Sequence, residues 1–187
     1  MSLMFEAGLM ADAYPLRQQD ASQGGGVRHS RPCRRRDRRC LARQYAIFLA
    51  QLKDGHSTEA LAVQALVLSE SAPLSCRRIA LSFAQFSKAF HGAHGVYPDI
   101  RHIESAHALL HRRIEQVPAR ADRVMIAGLA ATALASSGLR THLVVDSDLA
   151  IPYLNKILVP LYQQLGLTVG VVEADTPEAA RRGAYAA

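Results

Sequence analysis

Nowhere does the chain carry an apolar run of the roughly 20 residues needed to cross a bilayer as a helix. The longest, Val124 to Ala135 (VMIAGLAATALA), is short and interrupted by a glycine, so no transmembrane helix is expected. The first residues lack the basic, apolar and small-residue regions of a secretory signal, and a cytoplasmic location is the expectation. Cysteine is scarce: Cys33, Cys40 and Cys76 form an odd set without a CxxC pair. That speaks against a disulfide framework or a zinc knuckle and for free thiols in a reducing compartment.

Excess charge is also missing from most of the chain. The net charge of +6 looks like the footprint of a nucleic-acid-binding face until its position is traced. Arg28 to Arg39 (RHSRPCRRRDRR) holds seven arginines and one aspartate, which is +6 by itself, and the remainder balances 15 basic against 15 acidic residues. A neutral body with a basic arm is the implied organisation. Arg34, Arg35, Arg36, Arg38 and Arg39 are the candidate contacts to an anionic partner, nucleic acid or an acidic membrane surface, and they need no folded site behind them. With Gly24-Gly25-Gly26 and little apolar periodicity before it, the segment 1–43 is expected to be mostly a disordered arm.

From Gln44 the pattern becomes helical. Tyr45, Ile47, Phe48, Leu49 and Leu52 outline an amphipathic helix ending near Asp54-Gly55, and Ser57 or Thr58 caps a second that stops before Pro73. Ile79, Phe83, Phe86 and Phe90 are spaced i, i+4, i+7, i+11, the stripe of one buried helix face, with Gly92 and Gly95 at its end. A fourth helix, roughly Ile100 to Arg113, turns Ile103, Ala106 and Leu110 inward. The segment 44–112 is therefore expected to be helical.

After it the period changes. RIEQV (Arg113 to Val117), HLVV (His142 to Val145) and TVGVVE (Thr168 to Glu173) read as strands. Between and after them come an alanine-rich helix closed by Gly138, a helix from Leu149 to Leu165, and one opened by Thr176-Pro177-Glu178. Strand and helix alternating with short joints is the pattern of an α/β fold, here a helical segment followed by a small parallel βαβαβα sheet. Such sheets place ligands at the carboxyl ends of their strands. The loop after the first strand, PARADRV (Pro118 to Val124), has no glycine and no lysine. Cβ atoms there crowd the approach that a phosphate cradle requires.

The closing segment, THLVVDSDLA followed by LYQQLGLTVGVVEADTPEAARRGAYAA, resembles the first nucleotide-binding domain of the SecA preprotein translocase motor, a P-loop, helicase-like ATPase. That family shows VHVVTVNDYLA, then LFxxLGLTVG, then a basic pair before AY. The spacing from Thr141 to Gly170 matches without a gap: His142 and Asp148 fall on family residues, Leu165 to Gly170 (LGLTVG) is identical, and Arg181-Arg182 and Ala184-Tyr185-Ala186 follow. The resemblance implies that 113–187 is a partial SecA-like nucleotide-binding domain, with ATP and magnesium as family cofactors and Sec-type translocation components or the inner membrane surface as partners.

In the same register Arg120 to Val124 stands where the family has GEGKT. Arg123 replaces the phosphate-binding lysine and Val124 the magnesium-holding threonine, and valine cannot ligate a metal. His102 takes the place of the adenine-contacting glutamine, or Asp99 takes that of the neighbouring aspartate if the register slips by one; neither supplies a glutamine. The degenerate site therefore comprises His102, Arg120, Arg123, Val124 and Asp148. The chain is expected not to hydrolyse ATP and to need no cofactor, an atypical anion site at Arg120 and Arg123 being the alternative.

Three further groups are set aside. Glu104, His107 and His111 share a helix face with metal-ligand spacing, but solvated histidines are the expectation, since HALLH lacks the glutamate of a metalloprotease motif. Asp146 and Asp148 follow a strand and read as helix caps. Ser147 has no histidine at informative spacing.

Overall fold

The computed structural model describes residues 35–67, 74–111, 113–117, 120–144, 151–172 and 176–186. Among them are seven α-helices: α1 (Arg35–Lys53), α2 (Thr58–Val67), α3 (Cys76–His94), α4 (Ile100–Leu110), α5 (Arg120–Ala135), α6 (Ile151–Gln164) and α7 (Glu178–Ala186).

The phenylalanine stripe makes α3 the axis of the fold. Ser75 caps its first turn by accepting the Arg78 N–H, and Gly95 closes it at φ 73°, a left-handed conformation that favours glycine, donating its N–H to the His91 carbonyl at 2.7 Å. Ile79, Phe83, Phe86 and Phe90 are all buried, and Ala80, Ala84 and Ala89 leave room for neighbours to approach. Helices α1, α2, α5 and α6 pack on α3, while α4 packs on α5 and α1.

Helix α1 meets α3 through Leu41, Tyr45, Phe48 and Leu52, spaced i, i+4, i+7, i+11. Two polar links fix the register. The Tyr45 hydroxyl donates to Ser87 Oγ at 3.0 Å, and Ser87 donates on to the Phe83 carbonyl at 2.7 Å. Lys88 Nζ reaches the Leu52 carbonyl at 2.8 Å, satisfying an acceptor in the last turn of α1. α1 opens at Arg35, so Arg35 to Arg43, at the end of the segment expected to be an arm, are helical; residues 1–34, with Arg34 among them, lie outside the described set.

The expected α/β architecture is overturned: among the described residues there is no strand and no sheet. Residues 113–117 form no regular element: Ile114 is 84% exposed, while Val117 leans on the helical core. Thr141 to Val144 contributes only single bridge residues, Thr141 and Val144, and residues 168–172 form no regular element; Val145 and Glu173, the ends of the two expected strands, lie outside the described residues. Strands of a parallel sheet are covered on both faces, whereas these segments are half-exposed, with Leu143 and Val169 leaning on the helical core. The reason lies in α5. A helix covering a sheet keeps one face in water, but every residue of α5 from Val124 to Leu134 except Gly128 carries a buried side chain, with α3, α4 and α6 against it. Helices occupy the space that a sheet would need.

The end of the described chain docks differently as well. A Cβ on Gly170 would strike the Ala184 carbonyl oxygen and lie 2.6 Å from Ala184 Cα, so α7 rests directly on the backbone at Gly170. Gly170→Ala is expected to cost about 2 kcal/mol by overpacking. A thermal melt should show a fall in Tm of about 5 °C; an unchanged Tm would mean that α7 does not sit there.

Candidate functional site

The N-termini of α4 and α5 converge, and the side chains at their junction form the most connected polar cluster in the described chain. Asp99 is the N-cap of α4. Its Oδ1 accepts the N–H groups of Arg101 and His102 at 2.8 and 3.1 Å, and its Oδ2 accepts Nε and Nη2 of Arg101 at 3.2 and 2.9 Å. His102 completes a reciprocal capping box, its Nδ1 accepting the Asp99 N–H at 3.0 Å. The tautomer carrying hydrogen on Nε2 satisfies that bond and also faces Asp122 Oδ1, 3.2 Å away in the first turn of α5. Partial burial opposes ionisation of Asp99, but the Arg101 guanidinium and the His102 N–H outweigh it and hold the carboxyl below its ordinary value.

This junction coincides with the sequence-predicted nucleotide site and inverts its chemistry. Backbone N–H groups at a helix N-terminus attract phosphate. Here the two ends carry the chain's own carboxylates: Asp99 takes the free N–H groups of α4, and Asp122 sits in the first turn of α5, where a negative side chain is favoured by the helix dipole. An incoming phosphate would meet like charge.

Of the remaining expected site residues, the side chains of Arg123 and Val124 are described. Arg123 is exposed, and Val124 is buried in the core at 4% exposure, out of reach of any metal. The backbone of Arg120 opens α5, but its side chain and all of Asp148, with Asp146 and Ser147, lie outside the described residues. Of the arginine arm, Arg38 is half-buried and Arg39 exposed on α1, while the side chains of Arg35 and Arg36 lie outside the described set. Sequence reasoning picked His102 but missed Asp122 as its partner. The spacing Asp99-x-x-His102 carries the N-cap to N3 signal of a capping box with histidine in the acidic position, which fixes His102 on Asp99 and says nothing of Asp122.

The expectation of solvated histidines on α4 is corrected for His107. It is only 4% exposed, and its Nε2 stands 3.1 Å from that of His111. Burial, then the neighbouring His111 charge, pushes its pKa down to about 4, with Asp37 pulling the other way. His111 is lowered too, by burial and by Arg113. Glu104 is exposed, and among the described residues no three metal-ligating side chains converge.

No described helix is long and apolar enough to cross a membrane. Set against known protein families, curated proteins and solved structures, the chain shows no match.

Proposed function

We propose that the chain is a SecA-related component of protein export that works by binding and not by ATP hydrolysis, on the cytoplasmic side and at the periphery of the inner membrane. The ancestry rests on the Thr141 to Ala187 resemblance. The loss of hydrolysis rests on one observation: in the segment aligned with the family's phosphate loop, the α5 N-terminus carries Asp122, engaged with His102 at 3.2 Å. A carboxylate there neutralises the positive potential that a triphosphate would use, and Val124 leaves no hydroxyl for magnesium. The same arrangement disfavours an atypical ATPase built on Arg120 and Arg123.

Two measurements test this. Thermal unfolding of the purified chain with millimolar Mg-ATP or Mg-ADP is expected to show no stabilisation. A rise of several degrees, which is what occupancy at about 100 times Kd produces, or measurable ATP turnover, would overturn the non-hydrolysing assignment. Flotation with vesicles carrying a reconstituted Sec translocation channel is then compared with channel-free vesicles of the same acidic lipid. Channel-dependent binding supports the export role. Equal binding to both that collapses with salt would transfer the function to the arginine segment, and no binding to either would overturn the export reading.

A further inference from the structure

Independently of that function, two sulphurs from distant parts of the sequence meet at one end of the helical core. Cys40 lies in the second turn of α1 and Cys76 is the first residue of α3. The Cys76 thiol points at Cys40 Sγ at 3.2 Å across a sequence separation of 36 residues. Both are free, Cys40 exposed and Cys76 half-buried.

We propose that Cys40 and Cys76 form a peroxide-reactive dithiol, a modification site at which a hydroperoxide converts the α1–α3 contact into a disulfide. Geometry makes the pair competent. A disulfide bond is about 2.05 Å long, so the sulphurs must close by about 1.2 Å, within reach of small side-chain rotations. The surroundings divide the roles. Burial, then the contact with Cys40, pushes the Cys76 thiol up to about 12, with the Asp37 charge adding to the effect and Arg77 opposing it. Cys76 is therefore the poorer nucleophile toward peroxide, and its place 3.2 Å from Cys40 Sγ gives it the resolving role, its proton passing to the departing hydroxide as it attacks. Cys40 faces solvent and meets the oxidant first.

In the first step the deprotonated Cys40 sulphur attacks one oxygen of hydrogen peroxide. The O–O bond breaks, the leaving hydroxide takes a proton to become water, and Cys40 becomes a sulfenic acid. The Cys76 sulphur then attacks Cys40 Sγ, the S–S bond forms as the S–O bond breaks, and the departing hydroxide leaves as water with the Cys76 proton. Two thiols and one peroxide give one disulfide and two waters; the sulphurs lose two electrons and the peroxide gains them. The product ties the root of the arginine-rich segment to the central helix. Constraining a loop of this length restricts the unfolded chain.

The test uses the full chain, reduced and then treated with hydrogen peroxide, alkylated, digested and mapped by mass spectrometry. The expected result is a Cys40–Cys76 cross-linked peptide and a rise in Tm of about 10 °C, reversed by dithiothreitol. Cys76→Ser should remove both. Cys40→Ser, at an exposed position with little packing to lose, should do the same if the first variant fails to fold. Both thiols remaining open to alkylation after peroxide, a disulfide to Cys33 in place of the Cys40–Cys76 link, or a Tm rise that survives either substitution would overturn the proposal.

Discussion

Phe86→Ala is expected to destabilise the protein by about 4 kcal/mol, the middle of the range for truncating a buried aromatic. Phe86 is 0% exposed, and its ring fills the point where α3, α5 and α6 come together. A Cβ built on Gly128 of α5 would stand 2.7 and 2.8 Å from Phe86 Cζ and Cε2 and 3.1 Å from Leu158 Cδ2. The glycine is therefore required by the ring and not by backbone conformation. This predicts a reversal of sign. In the wild-type background Gly128→Ala forces the ring aside at about 1–3 kcal/mol, exceeding the roughly 1 kcal/mol that alanine gains over glycine in a helix. With Phe86→Ala already present the ring clash is gone, the Leu158 methyl at 3.1 Å can shift into the vacated space, and the same substitution should stabilise by up to about 1 kcal/mol. Urea unfolding of the four proteins measures the coupling. Equal effects of Gly128→Ala in both backgrounds would mean that the ring does not lie over the glycine.

The second large effect is acid-linked. His107 holds a pKa of about 4 in the folded chain, against about 6.5 when unfolded. Between those values the unfolded state binds more protons. Stability is therefore fully present above about pH 6.5, falls as the pH drops, and this contribution is gone below about pH 4. The full shift would be worth roughly 3 kcal/mol. Water reaching the pair from the exposed His111 side reduces the expected contribution to about 2 kcal/mol, and His111, shifted the same way, adds to it. The charged groups that set the balance are Asp37 and Arg38 of α1, with His111 and Arg113. Chemical unfolding at pH 7, 5.5 and 4 should show the decline. His107→Leu, which removes the proton site while keeping an apolar volume, should flatten the slope whatever it does to stability at neutral pH. A variant that keeps the wild-type slope would show that other groups carry the acid dependence.

How much of this was legible in the sequence varies with how local the determining interaction is. The stripe Ile79, Phe83, Phe86, Phe90 identified the central helix because a 3.6-residue period sorts one face without reference to the rest of the chain. Gly95 marked its end, and Ser57 or Thr58 the start of α2, through backbone and capping preferences confined to a few residues. The candidate site was half legible. His102 stands out through the family register, but its partner Asp122 lies 20 residues away in the loop-like PARADRV, and nothing there announces that its aspartate will meet a histidine on another helix. His107 looked like a solvated helix histidine because its burial depends on α1 passing alongside, which α4 alone does not encode.

Local sequence thus determined that the helices exist, which of their faces are apolar and how several of them end, but not that α1 would begin as early as Arg35. Only the tertiary structure decided the architecture. HLVV and TVGVVE have β-type composition, but a strand exists only if another strand pairs with it, and that competition is settled by what else can occupy the same space. The small side chains of α5 let α3, α4 and α6 close around it, burying its apolar surface without a sheet among the described residues and leaving Leu143 and Val169 to lean on a helical core.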